Sequence, residues 1–359
     1  MFPRVEYLEW AVHRVGRYPF DLATSGFPTF LLSALGPPPD LEDARAPSLL
    51  RAAIARHNAV TPEEAIATLG TSHSLWLAYA ALLSPGDEIL IESPAYEPLL
   101  AIAAGAGARV TRFVRAESRD YAIDPEAIAP HITARTRLIV VTNLHNPTGQ
   151  RADDDTLREI ADLVARQGGH LLVDEVYAPF DDFVDKDGIW HGSARRLADN
   201  IVTTSSLTKC YGLGPHRFGW LLGSPEIIAR AQTAMLASAG SLPVSHAQLF
   251  LLALGGIQEL AARSRKLMGD KRSRVEAWLA QEQPRFAWSG PRSGLFGLAT
   301  LPGAGDLQPM LAQGAVEHGA VVVPGSYFEV PNGFRLSWSI DDPHLEDGLD
   351  RLGRILRAC

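Results

Sequence analysis

The chain has 359 residues, of which 46% are hydrophobic and 21% charged, a composition typical of a folded globular protein and not of a disordered one. A net charge of −8 argues against nucleic acid as the main partner, and no stretch of about eighteen apolar residues predicts a membrane span. Two cysteines cannot make a disulfide framework and the N-terminus lacks an apolar secretory core, so we expect a cytoplasmic protein.

The N-terminal region predicts a short amphipathic helix. Over residues 2–15, Val5, Leu8, Val12 and Val15 recur at helical spacing and would share one apolar face. A proline-rich link at residues 36–40 then stiffens the chain, so we expect it to cross between structural units there.

The middle of the chain alternates short apolar runs with helical patterns. The predicted strands are 65–69, 88–92, 109–114, 138–142, 170–174, 201–205 and 218–223. Helices between most of them indicate a largely parallel sheet that is covered on both faces. Ligands of such sheets bind beyond the carboxyl ends of the strands.

The pattern changes after about residue 255. A long basic helix is predicted to run through Arg272, followed by separated strands at 296–301, 320–323 and 333–339. We therefore expect a smaller α+β domain at 255–359, a large domain at 48–254, and an N-terminal arm at 1–47 that joins the small domain.

Lys209 lies in an unusual setting. It follows the apolar run 201–204, among hydroxyls and glycines, with Arg217 eight residues further on. An amine at a strand end can form a Schiff base, and a hydroxyl and a guanidinium suit a phosphate dianion, so the segment is typical of a pyridoxal phosphate site. A solvated surface lysine is the alternative, but the other three lysines have acidic or arginine-rich surroundings. They are Lys186, Lys266 and Lys271.

Two further motifs precede Lys209. N-P-T-G begins at Asn146, and D-E-x-Y spans Asp174 to Tyr177, with Asp174 lying 28 residues after Asn146 and 35 before Lys209. Together with S-x-x-K and a trailing R-x-G-W, this ordered set resembles the class I/II aminotransferases, fold type I of the pyridoxal-phosphate enzymes. The resemblance covers essentially the whole chain. It implies an α/β fold, with a seven-stranded, mostly parallel sheet in the large domain and a smaller α+β domain.

The resemblance implies catalytic roles for three residues. Lys209 would hold pyridoxal 5'-phosphate as a Schiff base and, once released, move a proton at the substrate α-carbon. Asp174 would keep the pyridine nitrogen protonated, which makes the ring an electron sink. Tyr177 would donate, with Asn146, a hydrogen bond to the cofactor's phenolic oxygen.

The resemblance also assigns the rest of the cofactor site. Thr71 and Ser72 would present backbone amides to the phosphate from a helix start, where the helix dipole favours negative charge. An ordinary helix cap is the alternative for Ser72. Ser206 and Arg217 would complete the phosphate cup, and Tyr96 would stack on the pyridine ring.

Substrate contacts are expected from three residues. By resemblance, Arg335 forks onto the substrate α-carboxylate and Asn146 lies beside it, while Gly26 brings its backbone close to the substrate. A plain turn glycine is the alternative for Gly26. No metal site is predicted.

The sequence therefore predicts an aminotransferase that moves an amino group from an amino acid to a 2-oxo acid, as a homodimer by resemblance. The same scaffold also hosts β-lyases and amino-acid decarboxylases, because these reactions differ in which bond to the α-carbon breaks. A non-catalytic ligand-sensing module is a further alternative, although it would not need Lys209 and Asp174.

Overall fold

The computed structural model describes residues 2–182, 190, 192–282 and 286–357. Its strands, in chain order, are β1 Phe20–Asp21, β2 Ala65–Leu69, β3 Glu88–Ser93, β4 Arg109–Val114, β5 Thr136–Thr142, β6 His170–Asp174, β7 Ile201–Ser206, β8 Phe218–Leu222, β9 Ala287–Ser289, β10 Phe296–Thr300, β11 Ala320–Val321, β12 Val323–Pro324 and β13 Gly333–Ser337. Its α-helices are α1 Glu6–Arg14, α2 Ala46–Asn58, α3 Thr71–Leu82, α4 Glu97–Gly105, α5 Pro125–Ile128, α6 Asp154–Ala165, α7 Pro179–Asp182, α8 Pro225–Ser238, α9 Val244–Gly255, α10 Ile257–Met268, α11 Lys271–Gln281, α12 Gln308–His318 and α13 Asp342–Arg357.

The central sheet has seven strands in the order β2-β8-β7-β6-β5-β3-β4. Strand β8 is antiparallel to both of its neighbours, and the remaining pairs are parallel. The predicted α/β class is thus confirmed, and each of the seven predicted strands is present with ends that differ by at most two residues.

The apolar runs of the central strands are explained by burial on both faces. In β5, Leu138 and Val140 pack into a core shared with α3, α4 and α8, whereas Ile139 and Val141 pack into a second core with α6. Successive side chains of a strand point to opposite faces, so helices on both sides require an unbroken apolar run.

A smaller unit lies beside this sheet. Strands β12, β13, β10 and β9 form an antiparallel sheet in that order, and β1 pairs in parallel with β11. The pairing of β1 joins the N-terminal arm to β11, which is followed after one residue by β12 of the four-stranded sheet. In this way the arm reaches the same region as β13, although some three hundred residues separate them in the chain.

Two local predictions are wrong. Helix α1 begins at Glu6, not at residue 2, and its predicted apolar face is largely in solvent, with Leu8 38% and Val12 68% exposed. Tyr7 is buried instead. The helix orientation is set by Glu97, whose carboxylate accepts the backbone N–H groups of Glu6 at 3.0 Å and Tyr7 at 2.6 Å.

The second wrong prediction is the single basic helix that was expected to run through Arg272. It is two helices, α10 and α11, separated at Gly269. Gly269 has a φ of 48°, in the left-handed region that glycine adopts at low cost and that ends a helix. Among the described residues, no helix has both the length and the apolar character to cross a bilayer.

Candidate active site

The carboxyl ends of β5, β6 and β7 bring the predicted motifs together. Asp174, the last residue of β6, is paired with Thr142 of β5 on one side and Thr204 of β7 on the other. The N-P-T-G motif follows β5, and Lys209 lies three residues beyond the end of β7. Parallel strands end at one edge of a sheet, so residues far apart in the chain meet there.

A cavity of about 320 Å³ lies at this edge. All nine residues predicted to bind the cofactor line it: Thr71, Ser72, Tyr96, Asn146, Asp174, Tyr177, Ser206, Lys209 and Arg217. Seven residues that the sequence analysis did not assign also line it: Tyr7, Leu8, Ser25, Leu75, Thr142, Val176 and Thr208.

Lys209 presents its amine to this cavity. Its Nζ donates a hydrogen bond to Ser25 Oγ at 3.1 Å, and the Tyr177 hydroxyl donates to the same oxygen at 3.0 Å. Burial, with the positive charges of Arg335 and Arg217, lowers the pKa of Lys209 to about 8. A larger fraction of this amine is therefore neutral near neutral pH than of an ordinary lysine amine.

The other three lysines are not in the cavity or lie outside the described residues. Lys266 is exposed on α10, and Lys271 is buried with its Nζ donating to the Ile340 carbonyl at 2.6 Å. Lys186 lies outside the described residues. Among the described lysines, Lys209 alone lines the cavity formed by the predicted cofactor residues.

Asp174 is a buried carboxylate that also lines the cavity. Its Oδ1 accepts the backbone N–H of Val176 at 3.1 Å. Burial raises the pKa of Asp174 to about 7. A buried acid of this kind is stabilised as the anion when a cation binds against it.

One end of the cavity suits an anion. Thr71 and Ser72 are the first two residues of α3, whose leading N–H groups have no partner within the helix. Thr71 Oγ1 donates to Ser206 Oγ at 3.2 Å. Gly70 has a φ of 83°, and a Cβ there would come within 2.7 Å of Arg217 Nη2. Glycine at position 70 therefore lets the Arg217 guanidinium approach the start of α3.

Arg335 and Gly26, two of the predicted substrate-binding residues, do not line this cavity but adjoin residues that do. Arg335 is fully buried on β13. Its Nη1 donates to Asn146 Oδ1 at 2.7 Å, and its Nη2 donates to the Ala23 carbonyl at 2.9 Å and the Tyr7 hydroxyl at 3.3 Å. The Nε atom is buried without a hydrogen-bond partner among the described residues. The rings of Phe296 and Phe328 are 5.0 and 5.2 Å from the guanidinium carbon. A buried cation with an unused donor is suited to a carboxylate ligand.

Gly26 and Tyr96 contact residues of the site in different ways. A Cβ at Gly26 would lie 3.2 Å from the Cα and Cδ atoms of Lys209, so a side chain there would crowd the lysine. Tyr96 follows β3, and its ring meets that of Tyr7 edge-on, with 5.6 Å between the centroids.

Sequence reasoning missed Ser25 and Tyr7. Both belong to the N-terminal arm, and both touch residues that the motifs had identified: Ser25 contacts Lys209 and Tyr177, and Tyr7 contacts Arg335. Neither lies in a recognisable motif. The position of Ser25 depends on the long-range pairing of β1 with β11, and that of Tyr7 on the hydrogen bond from its backbone N–H to Glu97. The sequence gives no local signal for either contact.

Comparisons with known proteins find relatives over most of the chain. The family described as aminotransferase class I and II matches residues 42–352. Capreomycidine synthase of Streptomyces vinaceus is 28% identical over 312 residues, covering 87% of this chain and 78% of the relative. Aspartate/prephenate aminotransferase of Thermus thermophilus is 27% identical over 300 residues, covering 83% and 76%. The structure of a PLP-dependent aminotransferase from Streptococcus suis has the same fold, with a TM-score of 0.89, 24% identity and coverage of 99% and 98%.

Proposed function

Since the chain belongs to the class I and II aminotransferases and is a pyridoxal-phosphate-dependent transaminase, we propose that Lys209 carries the cofactor and serves as its acid and base. One observation supports this most: the amine of Lys209 enters a cavity lined by the other eight predicted cofactor residues.

The side chains of the cavity fit pyridoxal phosphate. Thr208 Oγ1 is buried without a hydrogen-bond partner among the described residues, next to the anion-binding end formed by Ser206 and Arg217. We infer that Thr71, Ser72, Ser206 and Arg217 hold the phosphate, to which the unused Thr208 hydroxyl adds a donor.

Tyr96 would stack on the cofactor ring. We infer that Asp174 binds the protonated pyridine nitrogen, because a positive charge beside the buried Asp174 carboxyl would lower its raised pKa and stabilise the carboxylate. We also infer that Asn146 and Tyr177 donate hydrogen bonds to the phenolic oxygen. Bound pyridoxal phosphate supplies the electron sink that makes the α-hydrogen of an amino acid acidic.

We assign the proton transfer at the substrate α-carbon to Lys209 Nζ. A pKa of about 8 leaves this amine partly neutral near neutral pH, as a general base must be. Arg335 would bind the substrate α-carboxylate, with Asn146 beside it and the backbone of Gly26 close by. Ser25 would hold the amine in place between these groups.

We further propose that the substrates are an amino acid and a 2-oxo acid and that the enzyme is a cytoplasmic homodimer. For the domains we propose an arm at 1–47, a cofactor-binding domain at 48–254 and a small domain at 255–359. The β1–β11 pairing supports grouping the arm with the small domain.

Transfer of labelled nitrogen tests the function. An amino acid carrying isotopically labelled nitrogen is incubated with the enzyme and an unlabelled 2-oxo acid, and the products are analysed by mass spectrometry. The label should appear in the new amino acid. Label recovered as ammonia, or loss of carbon dioxide from the donor, would instead indicate a β-lyase or a decarboxylase.

A further inference from the structure

A fully buried ion pair lies behind the cofactor site. The side chains of Glu92, at the end of β3, and Arg115, just after β4, are 0% and 1% exposed, and Arg115 Nη1 is 2.9 Å from Glu92 Oε2. Removing two charges from water costs free energy, so a buried ion pair often adds little to the stability of the fold. Its presence here therefore points to a role other than stability.

Both partners fix backbone around the site. Glu92 Oε1 accepts the N–H of Thr142 at 2.7 Å, the residue of β5 that lines the cavity and pairs with Asp174. Arg115 Nε donates to the Tyr121 carbonyl at 2.7 Å, which anchors the chain after β4. The pair thus joins the end of β5 to the ends of β3 and β4.

His145 connects two loops next to this pair. Its Nε2 lies 2.9 Å from the Pro94 carbonyl, which can only accept, so Nε2 carries the proton and Nδ1 accepts from the Thr148 hydroxyl at 2.7 Å. The same Nε2 is 3.9 Å from Glu92 Oε1. Burial, with the charge of Arg115, lowers the pKa of His145, so the ring is neutral.

The two loops carry cofactor contacts. Pro94 lies two residues before Tyr96, and His145 lies immediately before Asn146. We propose that Glu92, Arg115 and His145 form a positioning network that holds the Tyr96 ring and the Asn146 amide against the cofactor, an inference that rests on the roles proposed above for those two residues.

The absorbance of the resting holoenzyme provides a readout without substrate. A hydrogen bond from Asn146 to the phenolic oxygen of the cofactor stabilises its ionised form, so displacement of Asn146 should move the pH midpoint of the visible spectrum upward. The other charged or titratable groups around the cavity remain unaltered in the variants below. They are Tyr7, Tyr96, Asp174, Tyr177, Lys209, Arg217 and Arg335.

The principal variant is the double substitution Glu92→Gln with Arg115→Met, which removes both charges and leaves no unpaired ion. It should keep a thermal midpoint near that of wild type, whereas its spectral midpoint should rise by about one pH unit. Its kcat should fall about tenfold, with a smaller change in KM. Glu64→Gln with Arg195→Met, which removes another largely buried pair 2.8 Å apart, is the matched control and should leave the spectrum unchanged.

Thr148→Val provides a second test that does not touch the ion pair. It removes the hydroxyl that orients His145. The spectral midpoint should therefore rise, by less than in the double variant. This variant also tests the network if the double variant does not fold. If the folded variants have the spectral midpoint and the kcat of wild type, the proposed positioning role of the network is wrong. Failure of the proposed function can be told apart from failure of the network, because in that case the wild-type protein would itself show no cofactor absorbance or no transaminase activity.

Discussion

The two ends of the proposed active site are built in different ways. The proposed phosphate end uses residues close to strand ends of one sheet: Thr71 after β2, Ser206 at the end of β7 and Arg217 before β8. The proposed carboxylate end combines Arg335 of β13 with Tyr7 and Ala23 of the N-terminal arm. Local motifs at one sheet edge are enough to form the first end, whereas the second forms only when the arm has packed beside β11 and β13. Substitutions at the two ends should therefore affect cofactor and substrate separately.

Lys209 lies between the two ends, and its loss should have the largest effect. Lys209→Ala should reduce kcat by on the order of 10⁴-fold, because both the covalent attachment and the proton transfer are lost. The thermal midpoint should remain close to wild type. Lys266→Ala, on the surface of α10, is the control and should be fully active.

Attachment itself is measured by reducing the holoenzyme with borohydride and mapping the labelled peptide. The label is expected on Lys209. A label on Lys186, Lys266 or Lys271 would refute the assignment.

Asp174 and Arg217 should separate chemistry from cofactor retention. Asp174→Asn should slow removal of the α-proton by about 10²- to 10³-fold while the cofactor stays bound, because only the charge that supports the protonated ring is lost. Arg217→Ala should do the reverse and mainly accelerate loss of the cofactor, since it weakens the phosphate end.

Glu175→Gln is a matched control for Asp174. Glu175 is also buried with its pKa raised to about 7 by burial, but its carboxylate accepts from the Ser193 hydroxyl and the Ala194 N–H, not from groups in the cavity. Single-turnover kinetics and cofactor release would be compared across the three variants. Near-normal α-proton removal in Asp174→Asn would exclude the electron-sink role.

Arg335 tests the carboxylate end. Arg335→Gln should cost about 1.5–3 kcal/mol of binding to a charged ligand, or roughly a 10- to 150-fold rise in KM. The rise should be similar for the amino acid and the 2-oxo acid, since both carry the carboxylate, and cofactor retention should hardly change. Arg351→Gln removes a guanidinium that packs 4.4 Å over Phe20 in the small unit and should leave both KM values unchanged. A rise for one substrate alone would contradict the shared role.

Ser25 tests the contribution of the arm and should have the smallest effect. Ser25→Ala removes the oxygen that accepts from both Lys209 and Tyr177. The kcat should fall about fivefold, the effect of one hydrogen bond, because only the bond to the Lys209 amine acts on the proton transfer. Thr24→Val is the control: its hydroxyl donates to the Asp21 carboxylate at 2.7 Å and not to Lys209 or Tyr177. Steady-state kcat values of the two variants would show whether Ser25 of the arm positions the Lys209 amine. Equal kcat values would mean that it does not.

The sequence predicted the sheet, and which candidate residues meet at its edge, for a physical reason. Asn146 and Asp174 follow apolar runs and Lys209 follows the β-branched run 201–204. Parallel strands buried on both faces are made of such runs, and ligands bind at the edge where they end. The order and spacing of the motifs then sufficed to identify the family.

The rest depended on tertiary contacts that local patterns do not encode. The helical spacing of Val5, Leu8 and Val12 predicted a buried face, but the Glu97 carboxylate at the start of α1 and the packing of Tyr7 decide the orientation. Ser25 has no motif at all. Its hydrogen bonds with Lys209 and Tyr177 depend on the placement of β1 beside β11.

The most direct test of the central claim is the half-reaction in the absence of an amino acceptor. The holoenzyme is mixed with excess amino acid, and 2-oxo acid, ammonia and carbon dioxide are quantified. A transaminase retains the amino group, so about one 2-oxo acid should form per active site before the reaction stops, and added 2-oxo acid should restore activity with ping-pong kinetics. Continued consumption of the amino acid over many turnovers, with release of ammonia or carbon dioxide, would contradict the account.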